Sequence, residues 1–213
     1  MKKAGIIGSG NVGVALAKGF IQYGYETTLS SRSEEKRNKL KQEIQGVKTD
    51  TPENVARDNE LIIFAVKGTE AKAALQEINP ENLSGKTVID TTNPIADEAP
   101  VNGVLSYFSD INKSLMEELQ AAAPNAKFVK AFSCIGSPFM VNPAFESKPT
   151  MFICGDDEAA KDEVKEILER FGWETEDMGN VEAARAIEPL AILWCLPGFR
   201  ENRWTHALKL LKM

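Results

Sequence analysis

The residues whose types and spacing could do chemistry begin at Gly8-Ser9-Gly10-Asn11-Val12-Gly13. A G-x-G-x-x-G run suits an anion only when it closes a strand and opens a helix. Here Ala4-Gly5-Ile6-Ile7 precedes it as a short apolar run, and Val12, Val14 to Ala17 and Phe20-Ile21 follow at helical spacing. In that context each glycine has a task. Gly8 allows the tight turn, Gly10 lets backbone approach a pyrophosphate, and Gly13 lets helix and strand pack closely. The free amides and positive dipole end of the helix then face the anion. The pattern predicts a dinucleotide cleft.

The tip of the second strand decides which dinucleotide. An NAD-binding unit carries an acidic side chain about 20 residues past the glycines to hold the ribose hydroxyls. This chain instead reads Ser30-Ser31-Arg32-Ser33, with Lys36 and Arg37 one turn further. Hydroxyls and a guanidinium suit a 2′-phosphate, which a carboxylate would repel. The same residues also have a purely structural use, since Ser31 and Glu34 have capping-box spacing. Both uses are compatible, and the chemistry favours NADP(H) over NAD(H).

Further candidates lie where later strands should end. Val66-Lys67-Gly68 should open onto the crevice, and Asn93-Pro94 stops a strand while placing an amide there, or serves as simple turn chemistry. Ser133 and Cys134 follow another strand and, with Asn93 and the Trp194–Phe199 stretch, would border a second substrate; the alternative gives Trp194 to the core and makes Cys134 a small packing residue. A proton donor for carbonyl reduction is missing. None of Tyr23, Tyr25 and Tyr107 has a lysine four residues on, and the single histidine, His206, reads as a helix-surface or packing residue on a C-terminal helix rather than a base. No cluster has metal-ligand spacing. Hydride transfer to a flavin-like ring needs no such donor, because the ring carries the electronics. The chemistry therefore favours positioning over acid catalysis.

These residues need a scaffold of alternating strands and helices. Strands are expected at Glu26–Ser30, Val47–Thr49, Glu60–Val66, Lys86–Asp90, Lys127–Phe132, Thr150–Gly155 and Glu174–Met178. Helices are expected at Pro52–Ala56, Glu70–Ile78, Ile111–Ala123 and Glu158–Phe171, with an irregular loop over Ile95–Ser109. From Val181 the chain reads helical, kinked or restarted at Pro189 and interrupted at Pro197-Gly198. The fold class is α/β, a doubly wound, mostly parallel Rossmann sheet with a small C-terminal helical part. The expected division is an NADP-binding domain over residues 1–134 and a small α/β and helical part over 135–213.

Composition narrows the classes. A chain of 213 residues with 43% hydrophobic and 26% charged side chains fits a globular protein with a sizeable core. A net charge of −6 argues against nucleic acid or an anionic membrane as partner. Three unpatterned cysteines, Cys134, Cys154 and Cys195, suit a reducing cytoplasm. Lys2-Lys3 before an apolar stretch resembles a secretory signal, but Gly5, Gly8, Gly10 and Gly13 break it. No apolar run approaches the roughly 20 residues of a membrane span.

Gly8 to Gly13, Ser31-Arg32 with Lys36, Asp90 to Pro94, Val129-Lys130-Ala131-Phe132 and Glu188-Pro189-Leu190 occur in one order. In this the chain resembles the NADPH-dependent coenzyme F-420 (deazaflavin) oxidoreductases, and is similar to the oxidoreductase domains of the Steap metalloreductases. The resemblance implies hydride transfer between NADP(H) and a flavin- or deazaflavin-like partner, commonly in a homodimer. It implies that Ser9, Asn11 and Val12 line the pyrophosphate, that Ser31, Arg32 and Lys36 hold the 2′-phosphate, and that Val66, Asn93 and Ala131 border the nicotinamide. Ser133-Cys134 stands where that family commonly has Asn-Thr. A reductase of a small imine or carbonyl compound and a non-catalytic NADP(H) sensor are the alternatives.

Overall fold

A computed structural model describes residues 1–212 of the chain. Six parallel strands form the main sheet: β1 Lys3–Ile7, β2 Glu26–Ser30, β3 Lys48–Asp50, β4 Leu61–Phe64, β5 Thr87–Asp90 and β6 Lys127–Lys130. Their spatial order is β3-β2-β1-β4-β5-β6, so the topology reverses between β1 and β4. Ligands of open α/β sheets bind outside the strand ends at such a switch point. A second pair, β7 Thr150–Ile153 and β8 Glu174–Asp177, is also parallel. It joins the edge of β6 through one antiparallel bridge, where the Lys130 amide donates to the Cys154 carbonyl at 2.9 Å.

Register assigns side chains to faces. Leu29, Ile6, Ile63, Ile89 and Val129 lie in one row across the sheet, and all belong to one buried cluster. Helices α1 Asn11–Gln22 and α6 Glu158–Arg170 cover that face with Leu16, Ala17, Phe20, Val164 and Ile167. The adjacent row, Ile62, Val88 and Phe128, faces the other way. It packs against α3 Pro52–Asp58, α4 Ala71–Glu77 and α5 Leu115–Ala122. Strands buried on both faces need a continuous apolar run, which is how β4 and β5 read in sequence. Each such side chain contributes about 1.5–3 kcal/mol by leaving water.

Helix α2 Glu34–Glu43 follows β2 and is polar on most of its surface. Helices α7 Ala184–Ile187 and α8 Leu190–Glu201 complete the chain's helical part.

Four expectations are corrected. α5 begins at Leu115 rather than Ile111, because Ser114 and Glu117 form a reciprocal capping box that fixes the start. β6 ends at Lys130, since Phe132 adopts a left-handed φ of +61° that no strand accommodates. Pro197 lies inside α8 and does not interrupt it, although it leaves no amide for the carbonyl of Leu193. His206 is not on a helix. Asn202 closes α8 in the left-handed conformation, and the following segment lies along β7, with the Thr150 amide donating to the Leu208 carbonyl at 2.9 Å. The Ile95–Ser109 loop is irregular as expected, pinned by bridges between Ile95 and Tyr107 and between Val101 and Val104. Among the described residues, no helix is long and apolar enough to cross a membrane, and no group of His, Cys, Asp and Glu side chains could hold a metal ion.

Candidate functional site

A cleft of about 400 Å³ opens at the carboxyl ends of β1, β2 and β4. Gly8 to Gly10 form its floor, Ser30 to Ser33 one wall, and Ala65 to Lys67 with Glu70, Ala74 and Glu77 the other. Packing dictates two of the three glycines. Gly8 has φ +110°, and a Cβ there would stand 2.2 Å from the Ala65 carbonyl oxygen. A Cβ on Gly13 would stand 1.9 Å from the Gly8 carbonyl oxygen. Gly10 differs. Its backbone is ordinary extended chain, and a Cβ would meet nothing within 4 Å. The protein does not need a glycine there, whereas a group lying against the backbone would.

The same loop leaves α1 open to an anion. Gly10 is the N-cap, no side chain caps the helix, and no acidic residue occupies its first turn. The orphan amides and the dipole end therefore face the cleft uncompensated. The Gly8 amide donates to Ser30 Oγ at 3.0 Å, which ties the loop to the tip of β2. The donor set fits a pyrophosphate; Ser9 lines the cleft, and Asn11 and Val12 open α1 directly after it.

At the tip of β2 the cap belongs to Ser33, whose hydroxyl accepts from the Lys36 amide at 3.2 Å. Ser31 is therefore not the capping residue that its spacing to Glu34 suggested, and it lines the cleft instead. Arg37 braces the turn by donating to the carbonyls of Ser31 and Arg32 at 2.8 and 3.0 Å. Arg32 also lines the cleft, but its guanidinium is engaged. Nε lies 2.9 and 2.7 Å from the two carboxylate oxygens of Glu77, and Nη2 donates to the same group. That contact raises the Arg32 pKa above the ordinary arginine range. Sequence reasoning finds no acidic residue at this tip because Glu77 comes from α4, 45 positions on. Lys67, on the opposite wall, pairs with Asp97.

A second constellation lies beneath the ends of β5 and β6. Lys130 is fully buried, with its ammonium 2.6 Å from Asp90 Oδ2 and 2.9 Å from Glu188 Oε1, and it donates to the Thr92 carbonyl at 2.8 Å. Burial opposes the charge on Lys130, but Asp90 and Glu188 outweigh it and hold the pKa above the ordinary lysine range. The Glu188 carboxylate accepts the Leu115 and Met116 amides at 3.0 Å each, using the open N-terminus of α5. Asp90 Oδ1 accepts from the Thr92 amide and hydroxyl at 2.9 and 2.7 Å. The motif pieces Lys130-Ala131-Phe132 and Glu188-Pro189-Leu190, 58 residues apart between Lys130 and Glu188, thus meet as one buried ion cluster. Sequence reasoning assigned that pair no role; a charged residue inside an apolar strand was the available signal.

The cluster fixes the turn that carries Asn93 and Pro94. Asn93 Nδ2 donates to the Ser133 carbonyl at 2.9 Å, joining the ends of β5 and β6. Asn93 Oδ1 and Ser133 Oγ are buried without protein partners, two polar atoms with hydrogen-bonding capacity to spare. Gly68 packs on this turn so closely that a Cβ would stand 1.9 Å from the Asn93 carbonyl oxygen. Ala131 is buried directly before the left-handed Phe132, and Val66 lies on the cleft wall. Cys134 is buried, and burial pushes its thiol up to about 12, which leaves it unreactive at neutral pH.

Trp194 stands apart from the cleft lining. It packs against Gly136, where a Cβ would fall 2.6 Å from the indole, and stacks on His206 with ring centroids 5.1 Å apart. Trp194 Nε1 donates to the His206 carbonyl at 2.9 Å, and His206 Nε2 lies 2.8 Å from the Trp194 carbonyl. A carbonyl can only accept, so the Nε2–H tautomer is required. Tyr107 donates its hydroxyl to the Glu188 carbonyl, and burial raises its pKa. Neither His206 nor Tyr107 is free to supply a proton at the cleft.

Comparison with known proteins agrees with this geometry. Residues 3–94 match the family described as NADP oxidoreductase, coenzyme F420-dependent, a stretch holding the glycine loop, the Ser31–Arg32 tip and the Asn93-Pro94 turn. The family resemblance read from the sequence is borne out. Metalloreductase STEAP3 of Rattus norvegicus is 28% identical over 199 residues, covering 92% of this chain and 38% of that protein. Metalloreductase STEAP2 of Homo sapiens is 24% identical over 188 residues, covering 88% of this chain and 35% of that one. The chain thus spans well under half the length of these curated relatives. A crystal structure from Arthrobacter sp. FB24, provisionally named an F420-dependent NADP-reductase, superposes with a TM-score of 0.91 at 28% identity over the whole of both chains. An imine reductase from Streptomyces aurantiacus shares the fold, with a TM-score of 0.68 at 19% identity over 92% of this chain and 62% of its own.

Proposed function

From the match of residues 3–94 to the coenzyme F420-dependent NADP oxidoreductases, we propose that the chain binds NADP(H) in the β1–β2–β4 cleft. We take it to transfer hydride between that nucleotide and a flavin- or deazaflavin-like ring. The observation that carries the reading is Gly10, a glycine with open space where its Cβ would be, on the uncapped end of α1. The α1 amides hold the pyrophosphate, Ser31 and Arg32 take the 2′-phosphate with Lys36 nearby, and Arg37 keeps their turn in place. When bound, the nicotinamide supplies the hydride. Val66, Asn93 and Ala131 border its ring, and the unpartnered Asn93 Oδ1 suits a carboxamide N–H.

What the residues do for the second substrate is mainly positional. Tyr107 and His206 are each committed to a carbonyl, and the Lys130 ammonium is sealed between two carboxylates. With Tyr107, His206 and Lys130 all committed, the site suits an acceptor ring that takes hydride without acid catalysis. Ser133 and Cys134 border that second site. Cytoplasmic location and a homodimer belong to the same proposal, the latter supported by the exposed Leu193 and Phe199 of α8. The discriminating experiment follows nicotinamide absorbance during NADPH oxidation with a deazaflavin, with FMN and with a cyclic imine. Turnover with either flavin-type ring supports the reading. Turnover with the imine alone assigns the rival chemistry, and tight NADPH binding without turnover assigns a sensor.

A further inference from the structure

The cleft proposed to hold the 2′-phosphate already contains a carboxylate. Glu77 engages Arg32 two-pronged, through Nε and Nη2, the edge a guanidinium offers to carboxylates and phosphates alike. Both side chains line the cleft and neither is buried: 64% of the Arg32 side chain and 36% of that of Glu77 remain exposed. An exposed pair of this kind is weakly held, because water competes for both ions. Glu70, on the same wall, adds a second negative charge within reach of Arg32. The second cation of the lining, Lys67, is paired with Asp97. Both cations of the cleft lining are therefore already paired with carboxylates before any nucleotide arrives.

We infer that Glu77 is a specificity-determining residue, a built-in competitor that occupies Arg32 and must be displaced by the 2′-phosphate. This rests on the NADP(H) reading above and deepens it. The carboxylate acts in two ways. It takes the donor edge the phosphate would use, and it repels a dianion brought to the same guanidinium. A nucleotide with a free 2′-hydroxyl meets neither obstacle, since it needs no charge from Arg32 and leaves the ion pair intact. Glu77 thus narrows the gap between phosphorylated and unphosphorylated nucleotides. It also keeps Arg32 from recruiting other phosphates to an empty cleft.

The test uses adenosine 2′,5′-bisphosphate and 5′-AMP as probes, titrated calorimetrically into the full chain. Glu77→Gln keeps the shape and one acceptor oxygen but removes the charge. Its bisphosphate affinity should rise about fivefold over the unsubstituted protein, with 5′-AMP affinity changed less than about twofold. In an Arg32→Ala background the same substitution should change bisphosphate affinity less than about twofold. If the unsubstituted protein prefers the bisphosphate and Glu77→Gln binds it equally or more weakly, Glu77 braces Arg32 and the inference is overturned. A gain that persists without Arg32 also overturns it, because the effect is then general charge. If neither protein prefers the bisphosphate, the 2′-phosphate reading itself fails and takes this inference with it. Because Glu77 is solvent-exposed on α4, a melting temperature close to that of the unsubstituted protein is expected and checks folding.

Discussion

Replacing Lys130 by Met tests the ion cluster beneath the β5 and β6 ends. The methionine fills the same volume but strands the carboxylates of Asp90 and Glu188 in a site with no water access. Part of their demand is still met: Glu188 keeps two α5 amides, and Asp90 Oδ1 keeps Thr92. The loss falls on Asp90 Oδ2, on one charge-assisted contact to Glu188 and on the Thr92 carbonyl. Removing one partner of a buried pair costs about 3–5 kcal/mol. For a chain of this length that corresponds to a fall in melting temperature of roughly 6–20 °C. Urea unfolding at neutral pH should show the loss as a lower midpoint with an unchanged slope.

The pH dependence gives the sharper signature. In the unsubstituted protein the Lys130 pKa is raised by folding, so its contribution is complete at and below neutrality and is lost only as pH rises through that raised value. The Lys130→Met deficit should therefore be full at neutrality and shrink only as pH rises through that value. A variant within about 1 kcal/mol of the parent at neutral pH would refute the cluster's structural role.

Other predictions follow from the same geometry. Gly10→Ala should leave stability within about 1 kcal/mol, since a Cβ there meets nothing within 4 Å, yet weaken NADPH binding at least about tenfold; a destabilised protein with intact binding would contradict the role given to Gly10. The Arg185 contact and the capping box hold the Glu117 carboxyl down to about 2, so its contribution is present above the ordinary glutamate range and lost as pH falls toward 2. Glu117→Gln should therefore remove about 1–2 kcal/mol at neutral pH, after allowing for solvent screening of Arg185, and nothing near pH 2, which chemical denaturation across that interval would show. His206→Ala should lower the melting temperature through lost stacking on Trp194 while leaving NADPH turnover within about twofold; a large loss of turnover at unchanged NADPH affinity would assign the imidazole a chemical role.

The glycine loop, the apolar strands and the serine–arginine tip were legible because their causes are local. Turn sterics, strand burial and a helix end all lie within a few residues of one another. The start of α5 was legible too, since Ser114 and Glu117 have capping-box spacing, but apolar Ile111 drew the expected boundary four residues early. Pairings between distant segments were not legible. Glu77 reaches Arg32 only because α4 brings it to the β2 tip, and Glu188 reaches Lys130 only because α7 packs against α5 and β7. Nor does helical periodicity distinguish the segment after Asn202, where Trp204 packs back on α8 and the Leu208 carbonyl bonds to Thr150 of β7. Pro197 misled for the opposite reason. A proline removes one hydrogen bond, and the apolar packing of Ala191, Trp194 and Gly198 retains α8 through it.

The measurement closest to the central claim is a calorimetric titration of the chain with NADPH and with NADH at matched ionic strength, repeated on Arg32→Ala. One charge-assisted contact to the 2′-phosphate contributes about 1.5–3 kcal/mol, so NADPH should bind at least about tenfold tighter and Arg32→Ala should erase most of the difference. Equal affinities for the two nucleotides in the unsubstituted protein, or a preference that survives the loss of Arg32, would contradict the account.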